Sequence, residues 1–202
     1  TIERKNRSYH QQITTMKKAL KIVIIILIAL PLFLLSILLF SKGNIKYTET
    51  IEIEQPIELV NQLFSNIYTM KEYMPGTKEI ILMDGEDGVA GAKYKFIWDM
   101  GDEDMELYGT LKANNLPDSL IMCYEMAGVV NIMTQKHKKI SEHKTLIINQ
   151  QEFQFYGIMK MIAFFQPTGF NTKDFQTQTK LYLNRFKKFI EYQQVNHTKI
   201  DA

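Results

Sequence analysis

The sequence predicts an α+β domain preceded by one transmembrane helix. Three observations predict it: a long uncharged apolar run near the N-terminus, alternating segments separated by turn residues, and an amphipathic helix near the C-terminus. A chain of 202 residues has room for one ordinary domain besides the helix. We expect a basic N-terminal tail (1–18), the transmembrane helix (19–41), the domain (47–192) and a flexible tail (193–202).

The apolar run extends from Ile22 to Phe40 and is interrupted only by Pro31 and Ser36. Its 19 residues, at a rise of ~1.5 Å each, match the ~30 Å hydrocarbon core of a bilayer. A core helix would show a polar face, and a cleaved signal peptide has a shorter apolar stretch and a small-residue cleavage site. This run has no polar face and is longer than the apolar stretch of a signal peptide. Its exit at Leu39–Gly43 lacks the small-x-small pattern of a cleavage site. We therefore expect an uncleaved anchor with a kink at Pro31.

Basic residues are concentrated on the N-terminal side of the apolar run. The positive-inside rule then predicts a single-pass protein of the cell membrane with a cytoplasmic N-terminus and an extracytoplasmic domain. Met16-Lys17-Lys18 resembles a translation start followed by the charged region of a signal-anchor. Only Lys42 and Lys46 closely follow the run, whereas six basic residues precede it: Arg4, Lys5, Arg7, Lys17, Lys18 and Lys21.

The charge balance of the domain argues against nucleic acid as a partner. Six of the 24 basic residues but only one of the 22 acidic residues precede Phe40, which leaves 18 basic and 21 acidic residues after it. Nucleic-acid binding favours a basic patch that can neutralise several phosphates. The single cysteine, Cys123, excludes an internal disulfide and a multi-cysteine metal site.

The domain opens with an alternating strand at 47–54, in which Ile51 and Ile53 share one face. Pro56 then favours the first turn of a helix, where its missing N–H costs nothing. A second short helix is expected at 68–74. It should end before Pro75-Gly76, because both residues favour a turn.

Six further strands are expected after these helices. Clusters of Asp, Asn, Gly and Pro separate them, and the separators are short. Consecutive strands should therefore pair as antiparallel hairpins. The expected strands are 78–83, 92–98, 105–113, 120–126, 130–140 and 144–155.

Two helical segments complete the predicted domain. Segment 158–165 follows Gly157 and is apolar except for Lys160. Because it lacks the basic polar face of an interfacial helix, we expect it to be buried against the sheet rather than to rest on a bilayer. Segment 172–192 is an amphipathic helix with Tyr182 and Phe186 on its apolar stripe.

This order of elements and four local segments resemble the SRPBCC superfamily. That START-like group includes the birch-pollen allergens and the polyketide cyclase/dehydrase and lipid-transport proteins. Ile51–Val60 resembles its strand-Pro-helix opening, and Tyr73-Met74-Pro75-Gly76 resembles its aromatic-x-Pro-Gly, with Tyr in place of the usual Trp. Gly91-Ala92-Lys93-Tyr94 is similar to the start of its third strand, and Gly157–Phe165 with the helix after it is similar to its closing segment.

The resemblance implies a helix-grip fold, in which a curved antiparallel sheet of about seven strands wraps a long C-terminal helix. Members of the superfamily mostly bind hydrophobic ligands in a cavity between the two, and a minority are enzymes. One fold hosts many functions, so the resemblance indicates the architecture more than the chemistry.

Aromatic side chains at the expected inner positions are candidates for the cavity wall. The alternative is a solid core, which aromatic residues at these periods form more often. The candidates are Tyr94, Phe96, Trp98, Tyr124, Phe153, Phe155, Tyr182 and Phe186. Asn149 and Gln151 share a strand face with Phe153, and we expect this strand to be partly exposed there, because buried amides need partners.

No metal or cofactor is expected. The acidic residues around the turn at 99–106 lack the spacing of a calcium loop, and His137 and His143 lack the helical spacing of a zinc site. Nucleophile and nucleotide-binding motifs are also missing from the sequence. A solvated acidic turn is therefore the favoured interpretation of the carboxylates.

Three functions remain open from the sequence. The first is an anchored domain that binds a hydrophobic small molecule or lipid. The second is a cyclase- or dehydrase-like enzyme, whose acid–base pair would come from Tyr94, Tyr124, Glu125 and His137. The third is a non-catalytic interaction protein that docks a partner on Asp102, Glu103 and Asp104.

Overall fold

The computed structural model describes the backbone of residues 2–40, 43–165 and 171–200, and most side chains from residue 13 to residue 192. The chain forms two compact units, Thr1–Lys42 and Gly43–Ala202. The expected strands, short helices and long last helix are all present in the second unit, so the α+β prediction is confirmed. Ser41, the last residue of the predicted transmembrane helix, and Lys42 lie outside the described residues.

The first unit contains one helix, α1 (Ile2–Phe40). It includes the expected basic tail, and Pro31 lies inside it. Ile13–Ser36 is a 24-residue candidate membrane span, and none of it is buried. The alternative of a buried core helix is therefore excluded, which leaves a membrane span or a signal sequence. The Ser36 Oγ donates to the Phe33 carbonyl at 2.7 Å, so this hydroxyl is satisfied within the helix.

The second unit is built on one antiparallel sheet of seven strands in the order β1-β7-β6-β5-β4-β3-β2. Strands β2 to β7 form a meander. The last strand, β7, also pairs with β1, and this pairing places Ile51 opposite Ile147. The strands are β1 (Asn44–Ile53), β2 (Thr77–Asp84), β3 (Lys93–Asp99), β4 (Asp104–Asn115), β5 (Ser119–Met126), β6 (Val129–Ser141) and β7 (Lys144–Phe155).

Short helices connect β1 to β2. They are α2 (Ile57–Ser65), which begins directly after Pro56, and α3 (Met70–Tyr73), which follows a 3-10 turn at Ile67–Thr69. Val60 and Phe64 are the buried residues of α2, one helical turn apart. This segment therefore covers part of the sheet's inner face.

The long helix α5 (Thr172–Ile200) packs against β1 and α3 and closes the inner face of the sheet. Thr179, Leu183, Phe186 and Ile190 are buried at helical spacing. The helix continues to Ile200 instead of ending in the expected tail at 193, because no Pro or Gly interrupts it.

The segment α4 (Ile158–Phe165) has the expected bounds, but the expectation that it is buried was wrong. None of its residues is buried, and the exposed fractions are 70% for Ile158, 53% for Phe164 and 54% for Phe165. The physical reason is its position beyond the last residue of β7. There its neighbours are the β5–β6 turn, where it approaches Gly128, and the chain at Gly43.

Candidate functional site

An open cavity of about 300 Å³ lies between the inner face of the sheet and α5. Its wall is mostly apolar and aromatic, as in small-molecule sites generally. The lining residues are Tyr47, Met70, Met74, Trp98, Met105, Leu107, Tyr124, Met126, Val129, Asn131, Met133, Gln151, Phe153, Phe175, Gln178, Thr179 and Tyr182.

The cavity occupies one end of the sheet. Tyr47 lies near the start of β1 and Phe153 near the end of β7, and antiparallel pairing places these two ends together. Met126 ends β5 and Val129 begins β6, on either side of one hairpin turn. The first turns of α5, from Phe175 to Tyr182, close the same end.

The structure places four of the eight predicted residues on the cavity wall, namely Trp98, Tyr124, Phe153 and Tyr182. The other four are almost fully buried, with exposed fractions of 3% or less. None of them lines this cavity; they pack against other side chains or loops, and Tyr94 borders a second, much smaller pocket of about 30 Å³. These four are Tyr94, Phe96, Phe155 and Phe186.

The buried aromatics have identifiable partners, and Phe155 packs edge-on against Phe175 at 6.2 Å between ring centroids. Phe96 fills the space above Gly109, where an added Cβ would lie 2.7 Å from its Cε2. The Tyr94 hydroxyl donates to the Asp87 Oδ1 and accepts from the Gly88 N–H, both at 2.8 Å, and so holds the β2–β3 loop. Phe186 packs edge-on against Phe64 at 5.3 Å between ring centroids.

Sequence reasoning missed the methionines of the wall. Five of them line the cavity: Met70, Met74, Met105, Met126 and Met133. Methionine is unbranched and polarizable, and it adapts to irregular surfaces. The high content of 11 methionines was a compositional signal, but composition alone does not locate them.

A buried row of polar side chains runs along β6 and β7 towards the cavity. Asn149 and Gln151 have exposed fractions of 0% and 8%, so the expectation that the strand is partly exposed here was wrong. The Gln151 Nε2 donates to the Asn149 Oδ1 at 2.7 Å, and the Asn149 Nδ2 donates to the Gln135 Oε1 at 2.6 Å. At the cavity end, the Asn131 Nδ2 donates to the Gln151 Oε1 at 2.8 Å. Each amide thus satisfies the next, which removes the cost of burying them.

The far end of the polar row is His137 of β6. Its Nε2 lies 3.3 Å from the Gln135 Nε2, and its Nδ1 lies 2.6 Å from the Asn61 Oδ1. An acceptor at Nε2 and a donor at Nδ1 require the neutral imidazole. Burial lowers the pKa of His137 to about 4, which agrees with this neutral form.

Among the described residues, the cavity wall contains no Asp, Glu, Lys, Arg or His. Burial raises the pKa of Tyr124 and of Tyr182 well above the ordinary value, so both phenols stay protonated. The Tyr47 hydroxyl lies 2.8 Å from the Thr179 Oγ1 and donates to the Phe175 carbonyl at 3.1 Å. The wall therefore offers hydrogen bonds without charge.

The four candidates for an acid–base pair do not meet in this cavity, although Tyr94 and Tyr124 both border a separate, smaller pocket of about 30 Å³. Of these, only Tyr124 lines the main cavity. Glu125 is exposed, Tyr94 holds a loop, and His137 is engaged with Asn61. The described part of the domain therefore brings together no pair of these groups in the cavity.

The acidic turns carry surface ion pairs. Lys78 Nζ lies 2.5 Å from the Asp104 Oδ1 and 3.5 Å from the Asp99 Oδ2, and Lys93 pairs with Asp84 at 2.8 Å. No group of three possible metal ligands occurs among the described residues. The carboxylates here are solvated and paired with lysines, and such pairs contribute little to stability.

The architecture is that of the SRPBCC, or Bet v1-like, helix-grip structures. Ara h 8.0201 superposes with a TM-score of 0.58 at 11% identity, over 74% of this chain and 99% of that one. The Zhui aromatase/cyclase of Streptomyces sp. R1128 gives 0.59 at 9% identity, over 73% and 94%. Norcoclaurine synthase of Thalictrum flavum, in complex with dopamine and hydroxybenzaldehyde, gives 0.56 at 12% identity, over 75% and 89%.

No protein-family model and no curated protein sequence matches the chain. At identities of 9–12% the structural matches show the fold alone. The domain thus has the helix-grip fold, and a candidate membrane anchor precedes it.

Proposed function

We propose that this chain is a membrane-anchored helix-grip domain that binds an uncharged, largely apolar small molecule or lipid in the cavity beneath α5. The observation that carries the proposal is the open cavity of about 300 Å³, whose described wall is apolar and free of charged side chains. This volume is near the lower limit of ligand sites, which favours a small ligand or one segment of a larger lipid.

The lack of charge on the wall selects against ionised ligands. An ion that leaves water needs a partner of opposite charge or several hydrogen bonds, and the described residues of the wall include no charged side chain. Asn131, Gln151 and Thr179 offer neutral hydrogen-bonding groups instead. We therefore assign the ligand an apolar body with one or two uncharged polar groups.

The anchoring part of the proposal rests on α1. Its candidate span, Ile13–Ser36, is long and unburied, and basic residues are concentrated before the uncharged apolar run that begins at Ile22. In the proposed topology the N-terminus is cytoplasmic, the domain is extracytoplasmic, and the membrane is the cell membrane. Alkaline extraction tests the integration and protease protection tests the orientation. Release by alkali would overturn the anchoring without affecting the ligand proposal.

The structural neighbours support a ligand-binding use of this fold. One of them is a norcoclaurine synthase in complex with dopamine and hydroxybenzaldehyde, so that protein holds small aromatic molecules. Another is an aromatase/cyclase. Catalysis by this chain receives no support from the wall itself, which lacks the expected acid–base pair among its described residues.

A pair of matched probes tests the ligand class. N-phenyl-1-naphthylamine is uncharged, and anilinonaphthalene sulfonate has the same ring system with a sulfonate added. Trp98, the sole tryptophan, lies on the wall and reports binding through its fluorescence. We expect the uncharged probe to quench Trp98 at concentrations at least tenfold lower than the sulfonate. Equal or tighter binding of the sulfonate would overturn the uncharged ligand class.

A variant pair locates the binding. Val129→Phe extends a side chain into the cavity, whereas Val130→Phe places the same change on the other face of β6, because neighbouring residues of a strand alternate. We expect the first change to weaken N-phenyl-1-naphthylamine binding severalfold and the second to leave it unchanged. If both substitutions weakened probe binding equally, the proposed binding in this cavity would be wrong. The proposal would also be overturned if the extracted chain showed no ligand in native mass spectra and bound no probe.

A further inference from the structure

The helix α4 presents an open apolar face. Ile158 and Phe165 are seven residues apart and lie on the same side of the helix, and Phe164 adjoins them with a ring contact of 5.3 Å to Phe165. All three side chains are more than half exposed. Lys160 is the one charged residue of the helix. Soluble domains seldom leave such a cluster uncovered unless it binds something.

The chain enters the domain directly beside α4. The Phe155 N–H donates to the Gly43 carbonyl at 2.7 Å, and a Cβ added at Gly43 would lie 2.9 Å from the Lys160 Cε. Two residues separate Gly43 from Phe40, where the apolar run ends. Three Cα–Cα steps of about 3.8 Å limit this distance to about 11 Å. A bilayer that holds the run is therefore within reach of α4 by chain length alone.

The same helix flanks the rim of the cavity. The Tyr156 N–H donates to the Gly128 carbonyl at 2.8 Å, and a Cβ added at Gly128 would lie 2.6 Å from the Met159 Cγ. Gly128 is in the hairpin turn between Met126 and Val129, which both line the cavity. The exposed apolar face, the chain entry and the rim thus share one end of the domain.

We propose that α4 docks on the bilayer that holds α1, with Ile158, Phe164 and Phe165 in the boundary between headgroups and acyl chains. The cavity rim then adjoins lipid, and an apolar ligand enters from the membrane rather than from water. This inference rests on the anchoring proposed above. A lipid surface is the occupant that the short connection between Phe40 and Gly43 favours, because it is already within reach.

The absence of a basic polar face on α4 does not oppose this assignment. A free interfacial helix needs such a face to attract anionic lipids. In an anchored chain α1 holds the domain at the surface, so a small apolar patch acts at high effective concentration. Three exposed apolar side chains are then enough to orient the domain.

Site-specific labelling of the full chain tests the docking. A nitrobenzoxadiazole label is placed at Phe164→Cys, with Cys123→Ser as the common background. The matched control is Ile140→Cys, because Ile140 is also exposed and apolar but lies near the opposite end of β6. In phosphatidylcholine vesicles that contain nitroxide-labelled phosphatidylcholine, we expect quenching severalfold stronger at 164 than at 140, with blue-shifted emission at 164.

The outcomes separate the docking from the anchoring. Release of the chain from the vesicles by alkali refutes the anchoring. An integrated chain with equal quenching at 164 and 140 refutes the docking and leaves the anchoring in place. A third outcome is that the label at 164 is shielded from water only until the chain is diluted into excess lipid. This result would show that a second copy of the chain covers α4, and it would also refute the docking.

A second variant tests the route of entry. Phe164→Asp with Phe165→Asp changes exposed side chains only, so the domain should keep its fold. We expect uptake of N-phenyl-1-naphthylamine from vesicles to slow severalfold, while its affinity in detergent stays unchanged. Ile140→Asp should alter neither quantity. Unchanged uptake in the double variant refutes entry from the membrane.

Discussion

Acidification should destabilise this domain through one buried imidazole. His137 is 5% exposed, and its two ring nitrogens contact the Gln135 Nε2 and the Asn61 Oδ1. Protonation would turn the Nε2 from an acceptor into a donor that faces another donor. To remove this contact between two donors, the side-chain amides of Gln135, Asn149 and Gln151 would have to flip together, because each one is hydrogen-bonded to the next.

The magnitude follows from the two pKa values. The pKa of His137 is about 4 in the folded chain, because burial disfavours the charged form, against an ordinary value of 6.5. Between these values the unfolded chain binds the proton and the folded chain does not, so the stability falls as the pH falls. The free energy of unfolding therefore begins to fall near pH 6.5 and stops falling near pH 4. At ~1.4 kcal/mol per pH unit, the total loss is about 3 kcal/mol.

Urea unfolding of the full chain in detergent, followed by Trp98 fluorescence at a series of pH values, measures this loss. His137→Gln removes the titrating group and should flatten the dependence between pH 6.5 and pH 4. The control is His143→Gln at the exposed β6–β7 turn, which should keep the wild-type slope. A slope that His137→Gln leaves unchanged would refute the assignment of a neutral, buried His137.

Three substitutions test the packing around the cavity by urea unfolding at pH 7. Phe186→Ala empties the centre of the core and should cost about 3–5 kcal/mol, and a loss below about 1 kcal/mol would contradict its place there. Gly109→Ala puts a Cβ 2.7 Å from Phe96 and should cost about 1–3 kcal/mol, and a neutral result would contradict the close packing of Phe96 on Gly109. Asn149→Leu leaves Gln135 and Gln151 without their partners and should cost at least about 1–3 kcal/mol, so a neutral result would show that the polar row is dispensable.

The strands could be predicted to within about three residues because local signals specify them. Period-two alternation marks the inner face, and turn residues mark each end, as at 144–155, where prediction and structure coincide. The wall of the cavity was less accessible to sequence reasoning. Trp98 and Phe96 alternate onto the same face, yet one lines the cavity and the other fills the core beside Gly109. That difference depends on position along the sheet relative to α5, which no local pattern contains.

The polar row illustrates the same limit for polar residues. Asn149 and Gln151 on one strand suggest exposure, since an isolated amide is costly to bury. Their partners, Gln135 and Asn131, are on β6, and only the β6–β7 register brings the four side chains together. Burial of a polar residue is thus decided by what its neighbouring strand offers.

The helix α4 shows why burial could not be predicted from hydrophobicity. An apolar segment is buried when the fold supplies a surface to cover it, and α4 begins where β7 has already ended. Gly157, with φ of 53°, lets the chain leave the strand at this point, a conformation that few other residues adopt. The same apolar composition that predicted burial therefore marks an exposed surface. This surface lies beside both the chain entry at Gly43 and the cavity rim at Gly128. We therefore expect lipid to contact it, and the labelling experiment at position 164 tests for that contact.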